Sequence, residues 1–415
     1  MSSASSTPAA SDEPSEYERE LIRPTWARRL KWRLELAGYC VIQAGLGLLP
    51  LRWVTRIGRG AGAVAHAVLK RRRRTVWRNL RIAFAGERTP VELDAMTREV
   101  FCRAGSNLLG ALRTAEMGER ALAGALTVRD EPVYREAAAR GKGVVMVLAH
   151  MGNWEALAQW FPKLLPPGIE GATVYRPLNN PLMNARVTAA RARRGVKLFS
   201  KDDSPLAMAG FLRRGGILGV LADQRAGEHG ELVPFFGRNA SCTPIPSILA
   251  RRTGAAIVGI SLRTVAAGRW EMRFHPLGAG EPTTSAVVGL LERMMRESPE
   301  DVFWLQDRWR ANRGQPAKVS GRTPKGEAPV PAKRRRALLW VDAAGAVPLA
   351  PVASPEDVDY FTMDRAKGEA AEAYLLRVDA ATALPLDFVV GGTEDAELRE
   401  ACRSLGIGLM KGRKA

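Results

Sequence analysis

His150 and Glu155 stand five positions apart in VVMVLAHMGNWEALAQW, and both side chains can take part in proton transfer. An imidazole deprotonates a hydroxyl near neutral pH when a carboxylate fixes its tautomer and stabilises its charged form. Val144 to Ala149, just ahead of the histidine, is apolar and rich in β-branched residues, the pattern of a short buried strand. Asn153 is placed to cap a helix carrying Ala156, Leu157 and Trp160 at helical spacing. Glu155 then falls in the first turn, where the helix dipole favours an ionised carboxylate. The same terminus offers unpaired N–H groups able to meet a developing oxyanion. A capped structural junction would use the same residues without chemistry, and an H-x4-E spacing also arises by chance. No G-x-S-x-G elbow occurs, and Cys102 and Cys242 lie in no nucleophile context. The nucleophile is therefore expected to be a substrate hydroxyl that His150 deprotonates.

The elements that must hold this pair follow from the pattern around it. From Gly141 onward, strands are expected at Val144–Ala149, Gly171–Tyr175, Val196–Phe199, Gly216–Ala222, Ala256–Leu262 and Trp270–Phe274. Helices are expected at Trp154–Leu165, Asn180–Gly195, Ser204–Arg214, Pro246–Thr253 and Thr284–Glu297, after a helical stretch over Pro90–Arg129. Such alternation means an α/β fold with a central mixed or parallel sheet flanked by helices. Ligands of such sheets sit at the carboxyl ends of strands, where His150 falls. Ala317 to Arg336 is rich in Pro, Gly and basic residues and reads as a linker, here taken as residues 314–336. Beyond it, residues 337–415 read as a small α/β appendage. Its expected strands are Ala337–Val341, Ala373–Val378, Leu386–Val390 and Ile407–Met410, with a helix over Glu394–Leu405, and it carries no motif for chemistry.

Of the 415 residues, 62 are Lys or Arg and 43 are Asp or Glu, a net charge of +19. An excess this large points to an anionic partner: a membrane surface, a nucleic acid or an acidic protein. Four scattered cysteines and four histidines give no metal-site spacing and fit a reducing compartment, so no metal and no cofactor is expected. Residues 1–20 lack the basic region of a signal peptide and read as a disordered lead. Leu36 to Leu51 is an uncharged run of 16 residues, with basic residues on both sides and Trp26, Trp32 and Trp53 near its ends. Residues 21–60 thus read as a membrane-anchoring helical segment, monotopic or marginally spanning, with a buried core helix as the alternative. KRRRR at Lys70 to Arg74 fits anionic headgroups better than nucleic acid, because it follows the apolar run so closely.

GKGVVMVLAHMGNWE resembles the first motif of the lipid A biosynthesis acyltransferase (lauroyl/myristoyl transferase) family, within the wider H-x4-D/E glycerolipid acyltransferases. Further blocks follow in order: RTVWRNLRIAF at Arg74, TVYRPLNNPLMN at Thr173, RRGGILGVLADQRAG at Arg213, VPFFGRNASCTPIPSILARRTGAAIV at Val233 and VFWLQDRWR at Val302. The resemblance covers roughly Leu30 to Arg313, so residues 61–313 are expected to form the acyltransferase domain and the appendage lies outside it.

The resemblance implies transfer of a fatty acyl chain from acyl-acyl carrier protein, or acyl-CoA, to a hydroxyl of a lipid A precursor or related glycolipid. It implies His150 as general base with Glu155 its partner, Arg176, Asp223, Gln224 and Asn153 around the substrate, and Phe235 and Phe236 along the acyl-chain path. Simpler roles stand beside these: Arg176 or Asp223 as a cap, and Phe235 and Phe236 as core. The same resemblance places the protein at the cell inner membrane, catalytic domain on the cytoplasmic side, with an anionic lipid or glycolipid acceptor and no nucleic acid. The proline-rich SCTPIPSILA leaves the acceptor open to a lysophospholipid or another membrane lipid. A non-catalytic basic binding protein is the alternative from a different class.

Overall fold

The computed structural model describes residues 24–192, 195–310, 321–322, 331–341, 357–391 and 394–411. The expected lead over residues 1–20 and most of the expected linker lie outside the described residues. Two helices open the chain, α1 (Trp26–Gly47) and α2 (Leu51–Val68). The uncharged run is therefore not one helix. Pro50, whose ring lacks an N–H and fixes φ, caps α2 at φ −58°, and the run breaks over residues 48–50. No helix among the described residues is long and apolar enough to cross a membrane.

Next come α3 (Lys70–Phe84) and α4 (Pro90–Thr114). Thr89 and Glu92 form a capping box that fixes where α4 starts. Helices α2 and α4 cross almost backbone to backbone: a Cβ on Gly62 would lie 2.1 Å from the Phe101 carbonyl oxygen, so only glycine fits there. The expected helical stretch to Arg129 ends early. It gives way to α5 (Glu119–Ala123) and a short edge strand, β1 (Leu126–Arg129), then α6 (Glu131–Ala139).

The central sheet adds β2 (Val144–Leu148), β3 (Gly171–Tyr175), β4 (Val196–Ser200), β5 (Ile217–Leu221), β8 (Ala256–Ala266) and β9 (Arg269–Pro276). Its seven strands run in the order β1-β9-β8-β2-β5-β3-β4. The five strands from β8 to β4 are mutually parallel, and only the β8–β9 pairing is antiparallel. Between the strands lie α7 (Trp154–Trp160), α8 (Pro181–Ala192), α9 (Pro205–Arg213) and α10 (Ile245–Thr253), and α11 (Thr284–Glu297) follows β9. Both faces of β2 are buried, as the continuous apolar run requires. Val145 and Val147 join the core cluster that includes Leu249, Leu291 and Met294, while Val144 and Met146 join the one that includes Tyr134 and Leu157. A separate hairpin, β6 (Glu231–Phe235) and β7 (Arg238–Cys242), escaped the periodicity. Phe236 and Gly237 at its tip both have positive φ, +50° and +76°, the pairing of a two-residue hairpin turn.

A second sheet of four parallel strands has the order β11-β10-β12-β13: β10 (Arg335–Leu339), β11 (Val358–Phe361), β12 (Leu386–Gly391) and β13 (Gly408–Lys411). Its helices are α12 (Ala371–Ala380) and α13 (Ala396–Leu405). The strand expected at Ala373–Val378 is instead the middle of α12. Ala371, Tyr374, Leu375 and Val378 are the buried residues there, a 3.6-residue rhythm that outweighs the local β preference. Asp387 on β12 ties this sheet to α3 and to the β6–β7 hairpin. Its Oδ1 accepts from Arg78 at 2.5 Å and from Arg238 at 2.8 Å. Arg81 of α3 donates to Asp379 at 2.5 Å and to the carbonyls of Asp379, Thr382, Ala383 and Leu384.

Candidate active site

His150 follows the carboxyl end of β2, and Asp223 follows the end of β5 beside it. The His150 main-chain N–H donates to Asp223 Oδ2 at 3.0 Å, and ring Nδ1 lies 2.7 Å from Oδ1. A carboxylate only accepts, so the proton sits on Nδ1 and the Nε2 lone pair is left for chemistry. Burial pushes His150 down, but the Asp223 charge and hydrogen bond, with the Glu155 charge, outweigh it and hold the imidazole above its ordinary value. Burial pushes Asp223 up in turn, yet His150 and the charge of Arg308 hold its carboxyl below the usual range. The pair is thus stabilised in its ionised form.

Glu155, expected to orient His150, does not touch the ring. Its carboxylate is taken by Arg191 at the end of α8, whose NH2 donates to both oxygens at 2.8 and 2.9 Å. The geometry explains the exchange of partners. Asp223 reaches Nδ1 from the neighbouring strand, whereas the first turn of α7 aims Glu155 across the crevice at α8. Glu155 still contributes negative charge near the imidazole.

The turn between histidine and helix is built by its neighbours. Gly152 sits at φ +58°, and a Cβ there would come within 2.1 Å of the Leu262 carbonyl oxygen. Its N–H donates to Asp301 O at 3.0 Å, and Phe303 N donates to His150 O at 2.8 Å. Buried Asp301 in turn accepts from Thr264, Asn107, Ser298 and Arg103. Asn153, expected at the substrate, is 1 % exposed. Its Oδ1 accepts from Ala156 N and its Nδ2 donates to Thr114 Oγ1, so it anchors α7 and lines neither of the cavities beside His150. That bond also occupies one of the terminal N–H groups considered for an oxyanion.

His150 borders a cavity of about 840 Å³ whose walls include Leu148, Leu157, Phe161, Val174, Val187 and Ile260. Its polar lining includes Glu155, Arg176, Arg191, Lys201, Gln224 and Arg225. Arg176 is exposed at the end of β3, and the Gln224 amide nitrogen lies 3.2 Å from His150 Nε2. Asp223, expected at the substrate, is buried behind the histidine. A second cavity, about 90 Å³, also borders His150, and Phe235 lines only that one. Phe235 and Phe236 are buried, packing with Trp304 and Trp309, and line no part of the large cavity. The acyl path expected along them thus meets no cavity at Phe236 and only the small one at Phe235. Among the described residues no group of three or more His, Cys, Asp or Glu side chains is arranged to hold a metal ion.

Sequence reasoning missed Arg191 and Arg308. Arg308 donates to Ser241 O at 3.0 Å and to Cys242 Sγ at 2.9 Å while its charge acts on Asp223. VFWLQDRWR held a hint of it, but ARVTAARARR offers several arginines with nothing to single out Arg191.

The model of the bacterial lipid A biosynthesis acyltransferase family matches residues 30–311. The chain is 26% identical over 287 residues to the lipid A biosynthesis lauroyltransferase of Escherichia coli (strain K12), covering 66% of this chain and 92% of that protein. It is 25% identical over 287 residues to the lipid A biosynthesis palmitoleoyltransferase of the same strain, with the same coverage. A phosphatidylinositol mannoside acyltransferase of Mycolicibacterium smegmatis is 26% identical over 211 residues, 49% of this chain and 68% of that protein. The matched span holds the whole central sheet together with His150 and Asp223, and the chain belongs to the bacterial lipid A biosynthesis acyltransferase family.

Proposed function

We propose that this acyltransferase moves a fatty acyl chain from the thioester of an acyl carrier protein, or of CoA, to a hydroxyl of a lipid A precursor or related glycolipid. The observation that carries the reading is His150, tautomer-locked by Asp223, with Nε2 at the edge of a large, mostly apolar cavity. Nε2 takes the hydroxyl proton as the oxygen attacks the thioester carbonyl. The C–O bond forms, the C–S bond breaks, and the imidazolium returns its proton to the leaving thiolate. Glu155 keeps negative charge near the ring. Arg176, on the cavity rim, supplies a guanidinium for the oxyanion or for an anionic substrate group. Gln224 stands where an acceptor hydroxyl must approach Nε2 and yields to it on binding.

The acyl chain lies against the Leu157–Phe161 wall. The charge of +19 steers both an acidic carrier protein and anionic lipid toward the site, at the cytoplasmic face of the inner membrane. The non-catalytic reading is dropped, because the family is one of acyltransferases. The relative from Mycolicibacterium smegmatis keeps a second acceptor in play, a phosphatidylinositol mannoside.

Purified protein offered acyl-acyl carrier protein or acyl-CoA, with each acceptor separately, tests the reading by mass spectrometry of the product. Transfer to the lipid A precursor that His150→Ala abolishes without unfolding is the expected result. Near-normal turnover by that variant overturns His150 as the base.

A further inference from the structure

Residues 302–310 form no helix or named strand, and they make one wall of the site. Val302 bridges Met151, and Phe303 N–H holds the His150 carbonyl. Phe303, Gln306, Asp307 and Arg308 line the small cavity together with His150 and Asp223, and Gln306 lines the large one as well. An irregular segment has no ladder of its own, so its position depends on what grips it from outside.

Two grips come from α3 and β7. Asn79 Nδ2 donates to the carbonyls of Trp304 and Gln306 at 2.8 and 2.6 Å. Arg308, 6 % exposed, reaches Ser241 and Cys242 at the end of β7. The third grip comes from the second sheet. Arg335, the first residue of β10, is buried, and its NH2 donates to Trp309 O at 3.1 Å. Burial pushes the Arg335 guanidinium down, against the charges of Asp387, Asp357 and Asp307. Arg335 thus acts on both neighbours of Arg308, by charge on Asp307 and by hydrogen bond on Trp309. The other support of Arg308 is fastened from the same side. Lys333 N–H donates to Gly237 O at 2.7 Å, Arg238 NH2 to Arg334 O at 3.1 Å, and Asn239 Nδ2 to Asp357 Oδ1 at 2.8 Å.

We propose that Arg335 is a positioning residue for acyl transfer: from the second sheet it fixes residues 307–309, and through them the Arg308 guanidinium and the wall beside His150. This rests on the reading of His150 and Asp223 as the proton-transfer pair. Arg335 lies beyond residues 30–311, the span shared with the family, so the appendage helps to build the site. A purely structural joint would not need this contact, because Arg78 and Arg238 already join α3 and β7 to Asp387. The charges acting on His150 are Asp223 and Glu155, and those acting on Asp223 include His150 and Arg308. With Arg308 displaced, the Asp223 charge is less compensated and the imidazolium is favoured. The neutral base is then reached only at higher pH.

Initial rates across pH, per folded molecule, test this in Arg335→Met and Arg335→Lys. Arg335→Met lowers kcat by about 10- to 100-fold at unchanged KM, the scale of a small misplacement of reacting groups, and moves the acid limb to higher pH. Arg335→Lys keeps a cation among the aspartates but lacks the planar fork that also reaches Trp309 O. It keeps the wild-type unfolding midpoint and shows the same two changes in smaller measure, so it decides the matter should the methionine variant fail to fold. Arg308→Met moves the acid limb in the same direction, and adding Arg335→Met to it moves the limb no further. Hydrogen exchange rises over residues 302–310 in both Arg335 variants while β2 and β5 stay protected. Wild-type kcat, acid limb and exchange in Arg335→Lys overturn the proposal. So does a loss of rate that is even across pH with exchange raised throughout the chain, the mark of a residue that serves the fold alone. Near-normal turnover in His150→Ala sinks the catalytic reading and leaves the exchange result standing, so the two failures separate.

Discussion

The Asp223 carboxylate grips His150 at two points, ring Nδ1 at 2.7 Å and main-chain N–H at 3.0 Å. The two residues end adjacent parallel strands, β2 and β5, whose register pairs Leu148 with Leu221. The strand pairing therefore delivers the carboxylate to the imidazole, and no flexible loop has to be ordered first. Glu155, nearer in sequence, spends its hydrogen bonds on Arg191 across the crevice. Two carboxylates thus act on one imidazole, one by contact and one through space.

Asp223→Asn should cost about 10²- to 10⁴-fold in transfer rate, because an amide no longer stabilises the imidazolium or enforces one tautomer. The base must be neutral to work. Wild-type activity therefore falls as pH drops through the His150 pKa, which burial lowers but Asp223 raises further, leaving it above the ordinary imidazole value. With Asp223 neutral, burial dominates and the acid limb of the profile shifts to lower pH. Initial rates across pH for both proteins check the height and the shift, and an acid limb that stays in place removes Asp223 from the proton chemistry.

Arg191→Met and Glu155→Gln should each lower transfer, and the double variant should be no worse than the poorer single one. The reason is the two-oxygen contact at 2.8 and 2.9 Å, which makes the pair one unit. Steady-state kinetics of the four proteins gives the cycle. Fully additive losses would mean that Glu155 acts without Arg191.

The sheet was readable because its central strands are buried on both faces: VVMVL and ILGVL are plain apolar runs, each preceded by a glycine. His150 and Asp223 could be found because each ends such a run. Their contact could not, since the strand order that makes β2 and β5 neighbours is set by packing across 73 residues. Glu155 was given the role of Asp223 because spacing along the chain reports only local geometry. Phe235 and Phe236 misled for a related reason. Aromatic residues near a motif suit a lipid path and a core equally well, and here the hairpin turns both into the Trp304–Trp309 cluster. Residues 373–378 carry apolar side chains compatible with either period, and only the docking of Tyr374 and Leu375 into the second core decides for helix.

Gly152→Ala should both destabilise and inactivate. The φ of +58° costs an alanine on the order of 1 kcal/mol, and the 2.1 Å approach to the Leu262 carbonyl forces the backbone of β8 or the His150 turn to move. Because the same turn sets the His150 ring, the rate should fall even in molecules that remain folded. Urea melts beside single-turnover rates separate the two effects, and an alanine variant of wild-type rate and midpoint would contradict the geometry.

Asp387→Asn should destabilise the protein by about 3–5 kcal/mol, the range for removing one partner from a buried ionic cluster. Burial pushes Asp387 up, but Arg238, Arg78 and Arg335 together hold its carboxyl below the usual range. A depressed carboxylate stabilises the fold fully above the ordinary carboxylate pKa and loses that contribution as pH falls through the lower folded value. The deficit of the variant should accordingly be largest near neutral pH and shrink in acid. The same cluster joins the second sheet to the helix and hairpin that pack with the central sheet, with Arg78 on α3 and Arg238 on β7 meeting Asp387 on β12. Loss of the carboxylate should then lower the unfolding midpoint of the central sheet as well as the second one. Tryptophan fluorescence, followed separately for Trp340 in the second core and for Trp304 and Trp309 beside the site, reads both transitions. If only the Trp340 transition moves, Asp387 fastens the second sheet without supporting the first.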